Sequence, residues 1–440
     1  MDVRFWGTRG SIATPGPQTV RFGGNTSCVE LRTAAGHIFI FDCGTGARQL
    51  GDALMGGSTT PVRASMFFSH THWDHIQGFP FFAPAFQQDN TIAVYAPQGG
   101  RRSLHDTLAE QMEYSYFPVD LSQLPAALTY HDLTEGVHPL GSARVIAQYL
   151  HHPAMTLGYR VEADGASVVY ACDHEPFGAA LWRSDAEPGR VESILHEGDR
   201  RHARFLAGAD LVIHDAQYTP EEYPARKNWG HSPFEYVVEL AAAAGVRRLA
   251  LTHHDPTHDD AAVAEIEQRA RAVAQRHGSP MEVFCAFEGC RLSVAAGAAR
   301  QSGTLDAASG AAIAPGALVL VVDDEPNVRR MVMKALEADG YVFTEACDGQ
   351  EALRMIAERT PDLVLLDLMM PKLGGMEVLK AMRANPKTAG VPVLILSAQN
   401  DESSIRAGFD VGATDYLAKP FSIPQLSARV RACLSRAAKA

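Results

Sequence analysis

Short apolar runs separated by glycines and polar residues fill the N-terminal two thirds of the chain. Such runs are typical of β-strands, and amphipathic helical patterns alternate with them later in the sequence. The strand-like runs are VRFWG, SCVELR, HIFIFDCG, ASMFFSH, TIAVYAP, ARVIAQYL, GYRVEA, SVVYACD, ADLVIHD and RRLALTH. The helical patterns include SPFEYVVELAAAAG and DDAAVAEIEQRARAVAQRHG, the second with an aspartate-rich start and a glycine stop. This order predicts sheets packed face to face with helices outside them.

The C-terminal part alternates more regularly. Its strand-like runs are ALVLVVDD, YVFTEA, DLVLLD, VPVLILSA and ATDYLAK, with helical segments between most of them and after the last. Five β-α units of this kind predict a doubly wound parallel sheet. Between the two parts, AAGAARQSGTLDAASGAAIAPG has almost no large apolar side chain and cannot bury enough surface to fold alone. The pattern predicts a large domain at 1–294, a linker at 295–316 and a small α/β domain at 317–440.

Composition narrows the class of protein. Of 440 residues, 46% are hydrophobic and 20% charged, which is ordinary for globular proteins. The formal net charge of -12 argues against a broad nucleic-acid surface, although a metal ion could still attract a small phosphate-bearing substrate. The seven cysteines are scattered without a CxxC pair, which argues against a disulfide framework or a thiolate zinc knuckle. With neither a signal peptide nor an apolar membrane span visible, we expect a cytoplasmic protein without membrane partners.

Four potential metal ligands stand within six residues, directly after an apolar strand. They are His70, His72, Asp74 and His75. Imidazole and carboxylate groups bind zinc and similar divalent ions, and a strand end followed by a tight turn can aim them at one point. A single ion seldom needs four ligands packed so closely, so two adjacent ions are the better interpretation. The alternative is a histidine-rich polar loop. Against it stand further candidates at the ends of apolar runs, namely His152, Asp173, His214 with Asp215, and His253.

These motifs resemble the metallo-β-lactamase fold superfamily over essentially the whole N-terminal domain. The resemblance implies an αββα sandwich with two divalent cations, zinc first and manganese or iron as alternatives. It implies that His70, His72 and His152 hold the first cation, and that Asp74, His75 and His253 hold the second. It also implies that Asp173 bridges the two, while Asp42 in FIFDCGTG supports the ligands from behind.

Three choices stay open on the residues alone. His152 is favoured over its neighbour His151 by the HP…LGYR context, and His253 is favoured over His254 by the strand ending LTH. The pair His214–Asp215 is either a further element of the site or a structural pair at a strand end.

Other segments resemble the phosphodiesterase branch of that superfamily, which includes tRNA 3′-processing nucleases and cyclic-nucleotide phosphodiesterases. They are GTRGS, GGNTS, GYRVE and the Gly230–Ser232 triplet GHS. His72 argues against the di-iron redox members, and Asp173 argues against the lactam-hydrolysing branch, which commonly uses cysteine for its second metal. The resemblance implies that His231 is a general acid, beside Asp74 as a catalytic residue. The alternative for His231 is a capping contact for the helix that begins at SPFEY.

The expected activity is therefore hydrolysis of a nucleotide or cyclic phosphate, because no long basic insertion of the kind that grips tRNA is present. Arg9 or Lys227 could pair with a phosphate, although a lone basic residue is more often solvated. A lactonase or thioesterase on the same metals is the alternative reaction, and a non-catalytic signalling protein is the alternative class.

Five polar residues follow or end strands of the C-terminal sheet: Asp323, Asp324, Asp367, Ser397 and Lys419. Three carboxylates at one edge repel one another unless a hard cation joins them, and Mg²⁺ prefers oxygen ligands. The set resembles the response-regulator receiver family. That resemblance implies phosphorylation at Asp367, Mg²⁺ bound by Asp323, Asp324 and Asp367, phosphoryl contacts from Ser397 and Lys419, and a rotamer change at Tyr416. It implies a sensor histidine kinase or phosphotransfer protein as partner.

Because no DNA-binding helix pair follows the receiver segment, its fusion to a hydrolase predicts that phosphorylation regulates hydrolysis. The sequence leaves oligomerisation open.

Overall fold

The computed structural model describes residues 1–56, 60–97, 103–178, 180–183, 187–295, 316–398, 408, 411–419, 421 and 423–437. The chain divides into two compact units, one from its N-terminal part and one from its C-terminal part. The predicted linker at 295–316 lies outside the described residues except for Ala295 and Gly316. Among the helices of the described ranges, none has both the length and the hydropathy that a membrane span requires.

In the described residues, the N-terminal unit contains fourteen strands and six helices. The strands are β1 (Asp2–Gly7), β2 (Cys28–Arg32), β3 (Ile38–Phe41), β4 (Arg63–Phe67), β5 (Thr91–Pro97), β6 (Ala127–Leu133), β7 (Gly136–Leu140), β8 (Ala143–Tyr149), β9 (Leu157–Ala163), β10 (Ala166–Ala171), β11 (Leu211–Asp215), β12 (Arg248–Thr252), β13 (Glu282–Cys285) and β14 (Arg291–Ser293). The helices are α1 (Ala47–Gly56), α2 (Trp73–Ile76), α3 (Leu104–Gln111), α4 (Glu197–Leu206), α5 (Phe234–Ala243) and α6 (Asp260–Arg276). Short 3-10 turns lie at Phe79–Phe81, Ala83–Phe86, Leu121–Gln123, Val191–Ser193 and Tyr223–Ala225.

These strands form two seven-stranded sheets, in the orders β14-β1-β2-β3-β4-β5-β6 and β13-β12-β11-β10-β9-β8-β7. Aromatic rings join the inner faces of the two sheets, with centroids 5.3 Å apart for Phe41 and Tyr170 and 5.1 Å apart for Phe67 and Tyr159. Residues of α1 and α3 pack on one sheet, and residues of α4, α5 and α6 pack on the other. The predicted αββα sandwich is therefore confirmed.

Helix α6 shows how the local sequence sets these elements. The side chain of Asp259 accepts a hydrogen bond from the backbone N–H of Ala262, which satisfies a donor that the first helical turn leaves free. After Arg276, Gly278 adopts a φ of 60°, a left-handed conformation that glycine takes at little cost. The aspartate start and glycine stop predicted from the sequence are both present.

Parallel pairing places several chain segments at one edge of each sheet. Strand β3 pairs in parallel with β4, and β10, β11 and β12 are parallel neighbours. The residues that follow these strands therefore emerge together, as the carboxyl ends of parallel strands do in other α/β folds. The carboxyl ends of these strands carry the histidines and aspartates of the candidate site.

The C-terminal unit has strands β15 (Leu318–Val322), β16 (Val342–Ala346), β17 (Leu363–Asp367), β18 (Val393–Ala398) and β19 (Asp415–Lys419). Its helices are α7 (Pro326–Leu336), α8 (Gly349–Glu358), α9 (Gly375–Ala384) and α10 (Ile423–Ala437), with a 3-10 turn at Glu337–Asp339. All strands pair in parallel, in the order β16-β15-β17-β18-β19. Residues of α7 and α10 pack in one core, and residues of α8 and α9 pack in the other. The predicted (βα)5 doubly wound sheet is confirmed.

Candidate metal centre

Three histidines and an aspartate converge at the sheet edge. The ligand atoms of His70, His72, His152 and Asp173 all lie within 4.8 Å of one another. Oδ2 of Asp173 is 3.4 Å from Nε2 of His70 and 3.7 Å from Nε2 of His152. Nε2 of His152 is in turn 3.3 Å from Nδ1 of His72. The structure thus brings together the four residues predicted around the first cation.

A second group forms on the other side of the same aspartate. Oδ1 of Asp173 lies 3.4 Å from Nε2 of His75 and 3.2 Å from Nε2 of His253. Oδ2 of Asp74 lies 3.3 Å and 3.1 Å from those same two nitrogens. Each oxygen of Asp173 therefore faces a separate histidine group, which is the arrangement expected of a bridging carboxylate.

Unpaired buried atoms test whether these residues fit bound cations. Nε2 of His70, Nε2 of His75 and Oδ1 of Asp173 are buried without a hydrogen-bond partner. Buried polar atoms are normally hydrogen-bonded, so three orphans that face one another call for a shared ligand. Nδ1 of His75 lies 2.7 Å from Oδ2 of Asp42, and this contact orients the ring so that Nε2 faces Asp74 and Asp173. The residues fit divalent cations.

The charge states of His70, His152 and Asp74 point the same way. Burial lowers the pKa of His70 well below its ordinary value and the pKa of His152 to about 3. Burial alone would raise the pKa of Asp74, but His75 and His253 outweigh it and hold that pKa well below its usual range. Neutral imidazole and ionised carboxylate are the forms that bind metals. For His75, burial would lower the pKa, but the carboxylates of Asp74, Asp173 and Asp42 outweigh it and raise that pKa well above its ordinary value when no cation is bound.

Asp42 lies directly behind the ligands and is fully buried. Its carboxylate accepts hydrogen bonds from the backbone N–H of Ser69 (2.7 Å), the Ser69 hydroxyl (2.9 Å), the Tyr170 hydroxyl (2.6 Å) and His75 Nδ1 (2.7 Å). Such contacts fix the orientation of a ligating imidazole. This geometry suits the supporting role predicted for Asp42.

Backbone strain is concentrated at the same place. Among the described residues, seven residues other than glycine have a positive φ, and five of them lie at this site. These five are Ser11 (63°), Asp42 (57°), Asp173 (61°), Asn228 (68°) and His253 (61°). Left-handed backbone at such residues costs about 1–3 kcal/mol each and persists only where surrounding contacts impose it. Such clustering is typical of functional sites and supports this edge as the candidate site.

The alternative ligands His151 and His254, and the further candidate His214, have other contacts. Nδ1 of His151 donates to the carbonyl of Glu175, 2.8 Å away, and Nε2 of His254 donates to the carbonyl of Ala286, 2.9 Å away. His214 contacts His202, with 2.8 Å between their Nε2 atoms. None of these three histidines belongs to the two groups around Asp173.

Asp215 and His231 form a third group beside the centre. Oδ2 of Asp215 lies 3.0 Å from Nδ1 of His231, and their ligand atoms lie within 4.8 Å of Asp173 and His253. Burial would lower the pKa of His231, but the carboxylates of Asp215 and Asp173 outweigh it and raise that pKa to about 9. The sequence predicted His231 as an acid but not its pairing with Asp215.

Cys172 is a neighbour that the sequence did not predict. Its thiol lies within 4.8 Å of ligand atoms of His75, Asp173 and His253. Burial raises the pKa of this thiol well above its ordinary value, whereas Asp74 is already anionic. Asp74 is therefore the better ligand of the two.

Arg9, a candidate for pairing with phosphate, is fully buried. Its Nε donates to the carbonyl of Gly23 at 2.8 Å, and Nη1 donates to the carbonyls of Asp255 and His258 at 3.0 and 2.6 Å. These bonds tie together loops near the site and give Arg9 a structural role, while its Nη2 is buried without a hydrogen-bond partner.

The C-terminal unit contains a cluster of three aspartates. Carboxylate oxygens of Asp323, Asp324 and Asp367 lie within 4.8 Å of one another. Nζ of Lys419 is 2.7 Å from Oδ2 of Asp323 and 2.5 Å from Oδ2 of Asp367. Burial raises the pKa of Asp367 despite the lysine, as expected where carboxylates crowd together. Three acids with one lysine fit a hard divalent cation.

Two predicted switch residues occupy strands of the same sheet. Tyr416 is half-buried on β19. Ser397 lies on β18, and its side chain falls outside the part of the chain that is described.

Two family descriptions match the chain. "Beta-lactamase superfamily domain" matches residues 37–254, and "Response regulator receiver domain" matches residues 319–431. The first family implies divalent-cation binding.

Curated relatives match the C-terminal part. The phosphate regulon transcriptional regulatory protein PhoB of Pseudomonas aeruginosa is 41% identical over 121 residues, which are 28% of this chain and 53% of that protein. The response regulator MprA of Mycobacterium ulcerans is 46% identical over 118 residues, or 27% of this chain and 50% of that protein. The chain spans about half the length of these relatives.

Solved structures match each part separately. The short form of human tRNase Z is 22% identical, with 67% of this chain and 99% of that chain covered and a TM-score of 0.45. A putative response regulator from Chloroflexus aurantiacus is 39% identical, with 27% and 98% covered and a TM-score of 0.27. On the family matches, the chain joins a domain of the β-lactamase superfamily to a response regulator receiver domain.

Proposed function

We propose that the N-terminal domain is a binuclear metal-dependent phosphodiesterase that acts on a nucleotide or cyclic phosphate. The observation that carries this proposal is the carboxylate of Asp173, which turns one oxygen toward each of two histidine groups. Zinc is the expected metal, with manganese or iron as alternatives, because His/Asp sites accept all three according to supply.

The ligands divide into two sets with one shared member. The first set is His70, His72 and His152, the second is Asp74, His75 and His253, and Asp173 is common to both. A bound pair of divalent cations would lower the pKa of water and stabilise charge on the phosphoryl oxygens. The backbone N–H of Ser11 donates to Oδ2 of Asp74 at 2.8 Å, which fixes the orientation of that carboxylate.

His231 is the proposed general acid. Without bound metal, the pKa of about 9 keeps its imidazole protonated near neutral pH. Asp215 binds Nδ1, so Nε2 is free to donate its proton to a departing alkoxide. The ring also stacks on His253, with centroids 4.8 Å apart, which supports a role for His231 beside the second ligand set.

A substrate panel with metal removal tests the hydrolase proposal. We expect turnover of bis-p-nitrophenyl phosphate and of 2′,3′- or 3′,5′-cyclic nucleotides, complete loss with EDTA, and recovery with zinc, manganese or iron. Cation loss removes several kcal/mol of transition-state stabilisation, or roughly 10³-fold or more in rate. Turnover of lactones and thioesters is measured in parallel and compared with turnover of the diesters.

Two results would contradict this proposal. Faster turnover of lactones or thioesters than of diesters would assign the other reaction class to the same metals. Full diester turnover in EDTA-treated, metal-free protein would remove the cations from the reaction.

The C-terminal domain is proposed to regulate hydrolysis through phosphorylation. Asp367 is the phosphoacceptor, and Asp323, Asp324 and Asp367 are the Mg²⁺ ligands. Lys419, Ser397 and Tyr416 are proposed to respond to the new phosphoryl oxygens. A sensor histidine kinase or phosphotransfer protein would supply the phosphate, and the domain limits proposed are 1–294 and 317–440, joined by 295–316.

Substitution of Asp367 tests the proposed regulation by phosphorylation. We expect acetyl phosphate with Mg²⁺ to label the unsubstituted chain and alter its turnover, whereas Asp367→Asn is neither labelled nor altered. Asp362→Asn, at the opposite end of β17, makes the same chemical change away from the acidic cluster and should behave like the unsubstituted chain. Identical turnover before and after labelling would reject regulation, and undiminished labelling of Asp367→Asn would move the phosphoacceptor elsewhere.

A further inference from the structure

Two tryptophans beside the candidate metal centre are exposed to solvent. Trp73 is 81% exposed and Trp229 is 55% exposed, whereas Trp6 is buried. Trp182 packs against the core and donates from its indole N–H to Glu239. Tryptophan is highly buried on average, so exposed indole rings next in sequence to the candidate site offer surfaces on which a ligand can pack.

Each exposed tryptophan is next in sequence to a ligand of the first set or to a residue that contacts one. Trp73 directly follows His72, and Trp229 directly precedes Gly230. The carbonyl of Gly230 accepts a hydrogen bond from Nδ1 of His152 at 3.0 Å, while Nε2 of that histidine is 3.3 Å from His72. Trp73 is thus one residue from His72, and Trp229 is one residue from a hydrogen-bond partner of His152, which contacts His72. We call Trp73 and Trp229 the tryptophan lip.

A buried carboxylate holds the segment that carries Trp229. Glu175 accepts hydrogen bonds from the backbone N–H of Asn228 at 2.7 Å, the backbone N–H of Gly230 at 2.9 Å and the Tyr223 hydroxyl at 3.0 Å. Gly230 has a φ of 90°, and a Cβ there would lie 2.1 Å from Nδ1 of His152. The segment is thus tightly placed, and a preorganised ring loses little entropy when a ligand stacks on it.

Positive charge accompanies the lip. The guanidinium carbon of Arg226 is 4.8 Å from the ring centroid of Trp229 and 5.9 Å from that of Tyr218. Tyr218 packs edge-on against His231, with centroids 5.9 Å apart, so Arg226 and the proposed acid lie close to the same tyrosine ring. In a chain of net charge -12, a local cation beside exposed aromatic rings favours an anionic ligand with a planar group.

We propose that the tryptophan lip stacks the base of a nucleotide while its phosphate faces the metal centre and Arg226. The identity of the phosphate-bearing ligand rests on the phosphodiesterase proposed above, and the lip adds the base as the group that is recognised. Indole rings stack with planar bases of any sequence, and each such contact contributes measurably to affinity.

Calorimetric binding to the full-length, zinc-loaded chain tests the lip without turnover. The probes are adenosine monophosphate and ribose 5-phosphate, which share the phosphate and the sugar but differ in the base. We expect adenosine monophosphate to bind more tightly, and Trp73→Ala or Trp229→Ala to weaken it by about 5- to 150-fold each. Binding of ribose 5-phosphate should change little. Trp73→Phe and Trp229→Phe keep a ring and should retain most of the affinity, and Trp182→Phe is the matched control.

The outcomes separate this proposal from the phosphodiesterase proposal. Equal affinity for the two probes, or undiminished adenosine monophosphate binding in both alanine variants, overturns the lip whatever the enzyme hydrolyses. Loss of self-association or of phospholipid-vesicle binding in the alanine variants, with nucleotide affinity unchanged, also overturns it. Lip-dependent nucleotide binding in a protein that cleaves no diester supports the lip and rejects only the phosphodiesterase.

Discussion

Asp173→Asn is expected to lower diester turnover by roughly 10³-fold or more and to reduce the cations bound per chain, because one residue serves both ligand sets. The substitution keeps the size of the side chain but removes the negative charge and one carboxylate oxygen. It leaves Nε2 of His70 and of His75 facing a neutral amide. Asparagine tolerates the left-handed φ of 61° at this position, so the backbone need not change. Elemental analysis and steady-state kinetics measure the two effects.

A matched control tests whether the loss of an aspartate charge away from the metal centre has the same effect as its loss at the centre. Asp164 also has a left-handed backbone, with a φ of 52°, and accepts a hydrogen bond from the backbone N–H of Ala34 away from the histidine groups. Asp164→Asn should retain the metal content and the turnover. The rise in unfolding temperature on adding zinc should persist in Asp164→Asn and shrink in Asp173→Asn, because only cations bound to the native state stabilise it. An Asp173→Asn variant with full metal content and turnover within tenfold of the unsubstituted chain would show that this carboxylate is not the bridge.

The central strands of both units were predictable because they carry continuous apolar runs. Strand β4, for example, is buried over four of its five residues and ends just before the histidine cluster. Strands β6 and β7 gave no such signal. Most residues of Ala127–Leu133 are exposed or half-buried, because β6 pairs at the rim of its sheet, and its sequence therefore lacks a clear apolar pattern.

The candidate ligands were predictable for a different reason: their residue types recur where apolar strands end. Their mutual geometry was not. That Asp42 accepts four hydrogen bonds, or that Asp215 binds His231, depends on distances between segments far apart in the chain. The left-handed backbone at Ser11 and His253 also has no sequence signal, since neither is glycine. Tertiary contacts impose it, and only the folded chain reveals them.

His231→Ala is expected to slow the hydrolysis of a cyclic nucleotide by about 10²- to 10⁴-fold, the usual contribution of a general acid. The same variant should cleave bis-p-nitrophenyl phosphate within about tenfold of the unsubstituted rate, since nitrophenolate is a stable anion that leaves without a proton. The two substrates use the same metals, so a difference between them isolates proton donation. Steady-state kinetics on both substrates makes the comparison.

The pH dependence of cyclic-nucleotide hydrolysis is a second test of the role of His231. The protonated imidazole is the donor, so the cyclic-nucleotide rate should fall as pH rises through the pKa of His231, which is about 9 without bound metal. Bound cations lower that pKa, so the falling limb should lie at or below about pH 9, and it should be absent in His231→Ala. His277→Ala removes an imidazole that pairs with Glu239 and should keep the limb. If His231→Ala loses both substrates equally and also loses metal, His231 holds the centre together and the proton comes from another group.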